Sequence, residues 1–124
     1  MTKQFEFKNN DLELDIAGNK FYLDTTEPSL IERILEFAHG AEAMGNDLKG
    51  KEDYVEGLKE AIAFCLEAID SILGEGSSDK IFEGRKVGMF DCLDVMSYIV
   101  DSVNENKDNK FLAYSPNRAQ RRAK

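Results

Sequence analysis

The sequence predicts an α+β protein that is mostly α. We expect a small N-terminal antiparallel β-meander, then three main helices plus one short helix, then a flexible basic C-terminal tail. Apolar and polar residues alternate over much of the first 23 residues, which is the period of a half-buried strand. From about residue 26, apolar residues recur at intervals of three and four, the period of an amphipathic helix. The charge changes sign near Lys110, where the tail begins.

The length of 124 residues predicts one domain with a single core. We place the globular domain at 1–109, with the meander in 1–25, the helical part in 26–106 and a polar linker after it; the tail covers 110–124. Apolar residues make up 42% and charged residues 32%, as in ordinary globular proteins. The sequence has no membrane-length apolar run and no signal-peptide layout, so we expect the protein in the cytoplasm.

The meander is predicted from three short alternating segments. Phe5-Glu6-Phe7 and Leu12–Ile16 each place their apolar residues on one face, and Lys20–Leu23 is short and aromatic. Asparagine and glycine between these segments favour turns because both tolerate a positive φ. A sheet of two or three such strands needs a helical layer against it for stability.

Two long helices follow the meander. Thr25 or Thr26 can cap the first, with Pro28 in its first turn, and Gly45-Asn46-Asp47 is expected to end it. The second helix ends at Gly74, since glycine is favoured just past a helix. An apolar seam with alternating spacings of three and four predicts that it packs lengthwise on another helix. The seam consists of Val55, Leu58, Ile62, Cys65, Ile69 and Ile72.

A short helix and a last long helix complete the predicted body. Ser77 or Ser78 can cap the short helix, which runs to Phe82. The last helix, over 90–103, carries few polar residues, so we expect it to be mostly buried, either at the centre of the fold or in an oligomer contact. The stretch NENKDNK that follows is interpreted as the polar linker.

A search for catalytic chemistry predicts that the protein is not an enzyme and needs no cofactor or metal. Neither a phosphate-binding P-loop motif nor a dinucleotide fingerprint is present in the sequence. His39, the single histidine, is expected to be a solvated or core-edge residue near a helix end. Cys65 and Cys92 lie in apolar helical patterns and are interpreted as buried free thiols.

Two groups of residues on the later helices have alternative interpretations. Asp91, Asp94 and Asp101 could share a metal or proton, but they fit better as the solvated stripe of the last helix. Ile81 and Phe82, in the glycine-punctuated turn, either pack between helices or leave a groove open for an amphipathic partner.

The run LGEGSSDKIFEGRKVGMFDCLDVMSYIVDSV resembles the second half of small tail assembly chaperones of long-tailed bacteriophages and prophages of Gram-positive bacteria. The terminal NRAQRR is similar to basic tails of small proteins in phage tail modules. The resemblance covers roughly residues 70–124. It is carried by Leu73, Gly74, Glu75, Gly76, Ile81, Phe82, Asp91, Leu93, Asp94, Asn117, Arg118, Arg121 and Arg122.

The resemblance implies a protein that acts by binding. Such chaperones bind the long helical tape-measure protein, keep it soluble and assist assembly of tail-tube subunits around it, and they are absent from the mature virion. The candidate partner-binding residues are Ile81, Phe82, Arg118, Arg121 and Arg122. The expected partners are the tape-measure protein, the tail-tube protein and another copy of the chain.

The basic tail leaves further alternatives open. Lys110 and the residues after it include five basic and no acidic side chains, whereas the preceding chain has a net charge of −13. This contrast favours contact with an acidic protein surface, on a partner or on a neighbouring copy. The alternatives are a minor tail or head–tail connector protein, or a small nucleic-acid-binding regulator that uses RAQRR; the acidic body opposes nucleic acid.

Overall fold

The computed structural model describes residues 2–7, 10–50 and 53–114, and this part of the chain is α+β and mostly α. It contains one two-stranded sheet and four helices. The elements in chain order are β1 Leu12–Ile16, β2 Asn19–Leu23, α1 Pro28–Gly50, α2 Tyr54–Leu73, α3 Ser77–Ile81 and α4 Met89–Tyr114.

The two strands form an antiparallel hairpin in which Leu14 pairs with Phe21. Ala17 and Gly18 both have positive φ, as a two-residue hairpin turn requires, and the Asp15 carboxylate accepts a hydrogen bond from Gly18 N–H at 3.0 Å. The inward face of the hairpin is buried against α2 and α4. It consists of Leu14, Ile16, Phe21 and Leu23.

The first of the three predicted strand segments, at residues 5–7, is not a strand in the structure. Phe5 and Phe7 are 76% and 92% exposed, and their rings pack edge to face on each other with centroids 4.9 Å apart. A stretch of three residues offers too few ladder hydrogen bonds to offset the entropy lost on ordering it.

Helix α1 begins at Pro28, as predicted, but continues past the predicted stop to Gly50. Gly45 is not among the described glycines with positive φ, and a glycine ends a helix only where it leaves the helical conformation. The predicted threonine cap is also wrong. Glu27 precedes the helix, the Thr26 hydroxyl donates to Asp24, and the Thr25 hydroxyl donates to Asn106 of α4 at 2.9 Å.

Helix α2 lies at the centre of the helical layer and packs against α1, α3 and α4. It ends at Gly74, as predicted, and the Asp53 carboxylate caps its start by accepting from Glu56 N–H at 3.1 Å. Cys65, Ile69 and Ile72 of the predicted seam are buried, but Val55 is 61% exposed because it lies in the first turn, beyond the core.

Helix α3 forms where expected but with a different cap. Gly76, in the left-handed conformation, takes the N-cap position, and both serines are buried inside the helix. The backbone N–H of Ser78 instead donates to the carboxylate of Asp70 in α2 at 2.8 Å. Asp70 therefore fixes the start of α3 against α2.

Helix α4 differs most from the prediction. It runs to Tyr114, so the stretch interpreted as a polar linker is helical. One stripe of the helix is buried rather than most of it, and Phe90 and Tyr98 are exposed at 73% and 44%. The buried stripe consists of Cys92, Met96, Ile99 and Val103. The helix continues through polar residues beyond the stripe, where Asn106 accepts a hydrogen bond from Thr25.

Candidate functional site

An apolar cleft of about 130 Å³ opens between α1 and the start of α4, with α2 as its floor. Nine residues line it, all from helices. They are Phe37, Ala41, Met44 and Gly45 of α1, Ala61, Phe64 and Cys65 of α2, and Met89 and Leu93 of α4.

The local sequence of α1 explains one wall of the cleft. This wall lies on one helical face, because its residues are four, three and one positions apart in the sequence. They are Phe37, Ala41, Met44 and Gly45. Two of the four are small, as is Ala61 on the floor. Small side chains between larger apolar ones leave space that the helices themselves do not fill.

A close approach of α1 to α2 fixes the floor of the cleft. The rings of Phe37 and Phe64 stack with centroids 5.6 Å apart and planes at 10°. A Cβ atom built on Gly40 would lie 2.8 Å from Cε2 of Phe64 and closer still to Cζ, so only glycine fits without a shift of the ring. At the far end of this antiparallel pair, Arg33 donates to the Ser71 carbonyl at 2.9 Å.

Acidic residues adjoin the lining of the cleft in the sequence of all three helices. Glu36, Glu42, Glu60 and Asp94 are the charged residues that directly adjoin a lining residue in sequence, and all four are exposed. Neighbours in a helix point about 100° apart, which places these carboxylates at the edges of the lined surface. The cleft thus combines an apolar lining with carboxylates that lie next to it in the sequence.

The two cysteines contribute packing rather than reactive thiolates. Both are free and buried, as predicted from their apolar surroundings. Burial raises the pKa of Cys65 to about 12, with the neighbouring Cys92 adding to the shift, and burial also raises the pKa of Cys92. The thiols are therefore protonated at neutral pH, and Cys65 forms part of the apolar floor.

The predicted partner-binding residues are not brought together at the cleft. Ile81 and Phe82 are 4% and 9% exposed within the core, which confirms the packing alternative for the turn. Arg118, Arg121 and Arg122 lie outside the described residues.

The residues weighed for chemistry lie apart on the surface. His39 is exposed, as predicted, but it lies in the middle of α1 rather than near its end. Asp91, Asp94 and Asp101 form the exposed stripe of α4, as predicted. In the described ranges, no group of three or more histidine, cysteine or carboxylate side chains could hold a metal ion.

Sequence reasoning missed the cleft. Gly45 of its α1 wall was expected to end the helix, and no pattern singled out Met44 or Met89. A usable signal was present in the segment HGAEAMG, where three small residues fall on the apolar face of a helix: Gly40, Ala41 and Gly45. Small residues on an apolar helical face indicate either a close approach of another helix or a gap between helices. Only the positions of the helices in space distinguish the two.

Comparison with protein families matches residues 17–124 to a family of unknown function (DUF6673). The chain belongs to this family. All nine residues that line the cleft lie within the part matched to DUF6673. Neither a curated protein nor a solved structure shows significant similarity to the chain.

Over the ranges that the structure covers, no helix combines the length and the apolar character needed to cross a bilayer.

Proposed function

We propose that the protein is a phage tail assembly chaperone that binds the tape-measure protein and keeps it soluble while the tail tube assembles around it. On this proposal it acts in the host cytoplasm by binding alone, without catalysis or a cofactor, and leaves before the virion is complete. The apolar cleft is the observation that carries the proposal. The resemblance of residues 70–124 to such chaperones supplies the class of partner.

The cleft gives the proposal a physical basis. Concave apolar surfaces that remain open in a small protein are typical of sites where another molecule binds. A long helical protein exposes apolar stripes before assembly, and covering them removes apolar surface from water. The net charge of −8 on the chaperone would then keep the complex dispersed through repulsion between copies.

The basic tail has a separate role in the proposal. Arg118, Arg121 and Arg122 would form ion pairs with acidic surface on the tape-measure protein, on the tail-tube protein or on a neighbouring copy of the chain. Because the cleft and the tail belong to one chain, binding at the cleft would raise the effective concentration of the tail near its own contact site and so increase the overall affinity.

Co-expression with a tape-measure protein tests the proposal. We expect the tape-measure protein to become soluble and to co-purify with the chain, and truncation after Tyr114 to weaken recovery by removing the basic tail. A partner that stays insoluble while the chain elutes alone would contradict the proposal.

Two further outcomes would favour the alternatives. Detection of the chain in purified virions would indicate a structural tail or connector component. Binding to DNA or RNA that weakens steeply with salt and disappears after truncation at Tyr114 would indicate a nucleic-acid-binding regulator.

A further inference from the structure

We infer that the cleft binds an amphipathic helix that inserts one large apolar side chain and carries lysine or arginine beside it. The inference deepens the proposed function and rests on it for the assumption that the cleft is a partner site. It specifies the chemistry of the bound segment, which neither the family match nor the resemblance supplies.

The volume of the cleft sets the size of the apolar anchor. Its 130 Å³ approaches the roughly 150 Å³ of an engineered cavity in another protein that binds benzene. One aromatic ring or one branched aliphatic side chain therefore fills it. Phe90, 73% exposed and directly after Met89 of the lining, provides additional apolar contact surface. This shape matches a partner helix that has one large apolar side chain, which enters the cleft, and smaller apolar side chains beside it.

The walls of the cleft favour a helical partner over an extended one. The lining residues all belong to helices, whose backbone groups are largely engaged within those helices. An extended segment would find no sheet edge there to pair with its own backbone. A helix satisfies its backbone internally and can lie in the groove between α1 and α4, packing as one helix does on others.

The charges beside the cleft select a basic partner. Glu42 adjoins Ala41 on the α1 side, and Asp94 adjoins Leu93 on the α4 side, so a helix in the groove has a carboxylate near each flank. Glu36, next to Phe37 of the lining, adds to the same field. Opposite charges at the margin of an apolar contact increase the association rate and disfavour acidic competitors.

The chain's own tail is a poor occupant of the same cleft. From Leu93 to Tyr114 helix α4 spans about 32 Å at ~1.5 Å per residue. Residues 115–124 reach at most about 36 Å when fully extended, so almost none of these ten residues could occupy the groove. The tail SPNRAQRRAK also contains no large apolar side chain to act as an anchor.

Direct binding of designed peptides to the full-length protein tests the inference. The probes are two fluorescent helical peptides that share one phenylalanine anchor and the same apolar positions, flanked by lysines in one and by glutamates in the other. In 150 mM salt we expect the lysine peptide to bind at least tenfold tighter by fluorescence anisotropy. Equal affinity of the two peptides would overturn the inference.

Matched variants locate the binding to the cleft. Gly45→Leu places a side chain at the α1 wall of the cleft. The fold should tolerate this change, because a Cβ atom at Gly45 meets no other atom within 4 Å. The variant should bind the lysine peptide at least tenfold more weakly. Ala43→Leu, on the exposed opposite face of α1, should change the affinity less than twofold. Equal effects of the two variants would contradict a site in the cleft.

Charge reversal separates local attraction from the general acidity of the protein. Asp94→Lys should weaken lysine-peptide binding at least fivefold. Glu105→Lys changes the net charge equally but lies about 16 Å further along α4, beyond the Debye length of ~8 Å, and should have less than a twofold effect. Equal weakening by both variants would overturn the inference.

The outcomes also distinguish this inference from the proposed function. Peptide binding in the cleft without rescue of a tape-measure protein would sustain the inference and contradict the chaperone role. If the tape-measure protein becomes soluble but the two peptides bind equally, the chaperone role is supported and the inference is contradicted. A dimer in sedimentation that Gly45→Leu dissociates would show that a second copy occupies the cleft, which overturns the inference.

Discussion

The ring of Phe64 in α2 lies directly against the backbone of Gly40 in α1, where a Cβ atom would overlap it. This contact sets the separation of the two helices at the cleft, and the stacked ring of Phe37 holds Phe64 in place.

Gly40→Ala should therefore destabilise the protein by about 1–3 kcal/mol, because the added methyl displaces Phe64 from its stack. The matched control is Gly45→Ala in the same helix, where a Cβ meets open space. That variant should stabilise by about 0.5–1 kcal/mol through helix propensity. Urea unfolding measures both changes, and a Gly40→Ala protein as stable as Gly45→Ala would show that the ring moves freely.

Asp70→Ala should cost about 1–2 kcal/mol, because the Ser78 N–H at the start of α3 loses its acceptor. Asp70→Asn keeps a side-chain oxygen and should recover most of the loss. Glu67→Ala, an exposed position in the same helix, serves as the control and should change the unfolding free energy by less than about 0.5 kcal/mol. An equal effect of Asp70→Ala and Glu67→Ala would show that the cap contributes little.

Thr25→Val should destabilise by about 1–2 kcal/mol, since the buried hydroxyl donates to Asn106 across the fold. A double-mutant cycle with Asn106→Ala should give a coupling energy of at least about 0.5 kcal/mol from the unfolding free energies. Additive effects would indicate that α4 does not reach Thr25 in solution. Thr26→Val removes an exposed hydroxyl that donates to Asp24, two positions earlier, and so provides a comparison with a local hydrogen bond.

Alkaline pH should destabilise the protein through Cys65. Its pKa is raised from the ordinary 9.0 to about 12, so between these values the unfolded thiol loses its proton while the folded thiol keeps it. The unfolded state then binds fewer protons, and the free energy of unfolding falls as pH rises, approaching about 1.4 kcal/mol per pH unit for this thiol.

Denaturant titrations from pH 8 to 11 measure this slope. Other groups also titrate in that range, so the Cys65→Ala variant is the reference. It should show a shallower decline than the parent, and parallel declines in the two proteins would show that the thiol is not protected by the fold.

Local sequence patterns were sufficient where neighbouring residues decide the structure. The alternation of Leu12–Ile16 gave its strand, and Gly74 ended α2, because strand faces and helix stops depend on residues close in the chain. The burial of the two cysteines could also be predicted, since both lie on strongly apolar helical stripes. These features could be predicted without knowledge of any contact between residues distant in the sequence.

The misplaced boundaries have a common cause. The residues after Val103 are polar and read as a linker, but Asn106 accepts a hydrogen bond from Thr25, 81 positions earlier. Asp70 of α2 accepts from Ser78 N–H because α3 folds back, so that its first turn meets the carboxylate. In each case a polar side chain has a distant partner that periodicity cannot reveal.

By itself, the sequence determined the fold class, the order of the main elements and the acidic body with its basic end, because these follow from local periodicity and composition. Only the tertiary structure decided that Ile81 and Phe82 belong to the core and that an apolar cleft remains open between α1 and α4. Core and cleft residues have the same apolar character and helical spacing. They differ only in whether another helix of the chain covers them, and that depends on how the helices are arranged in space.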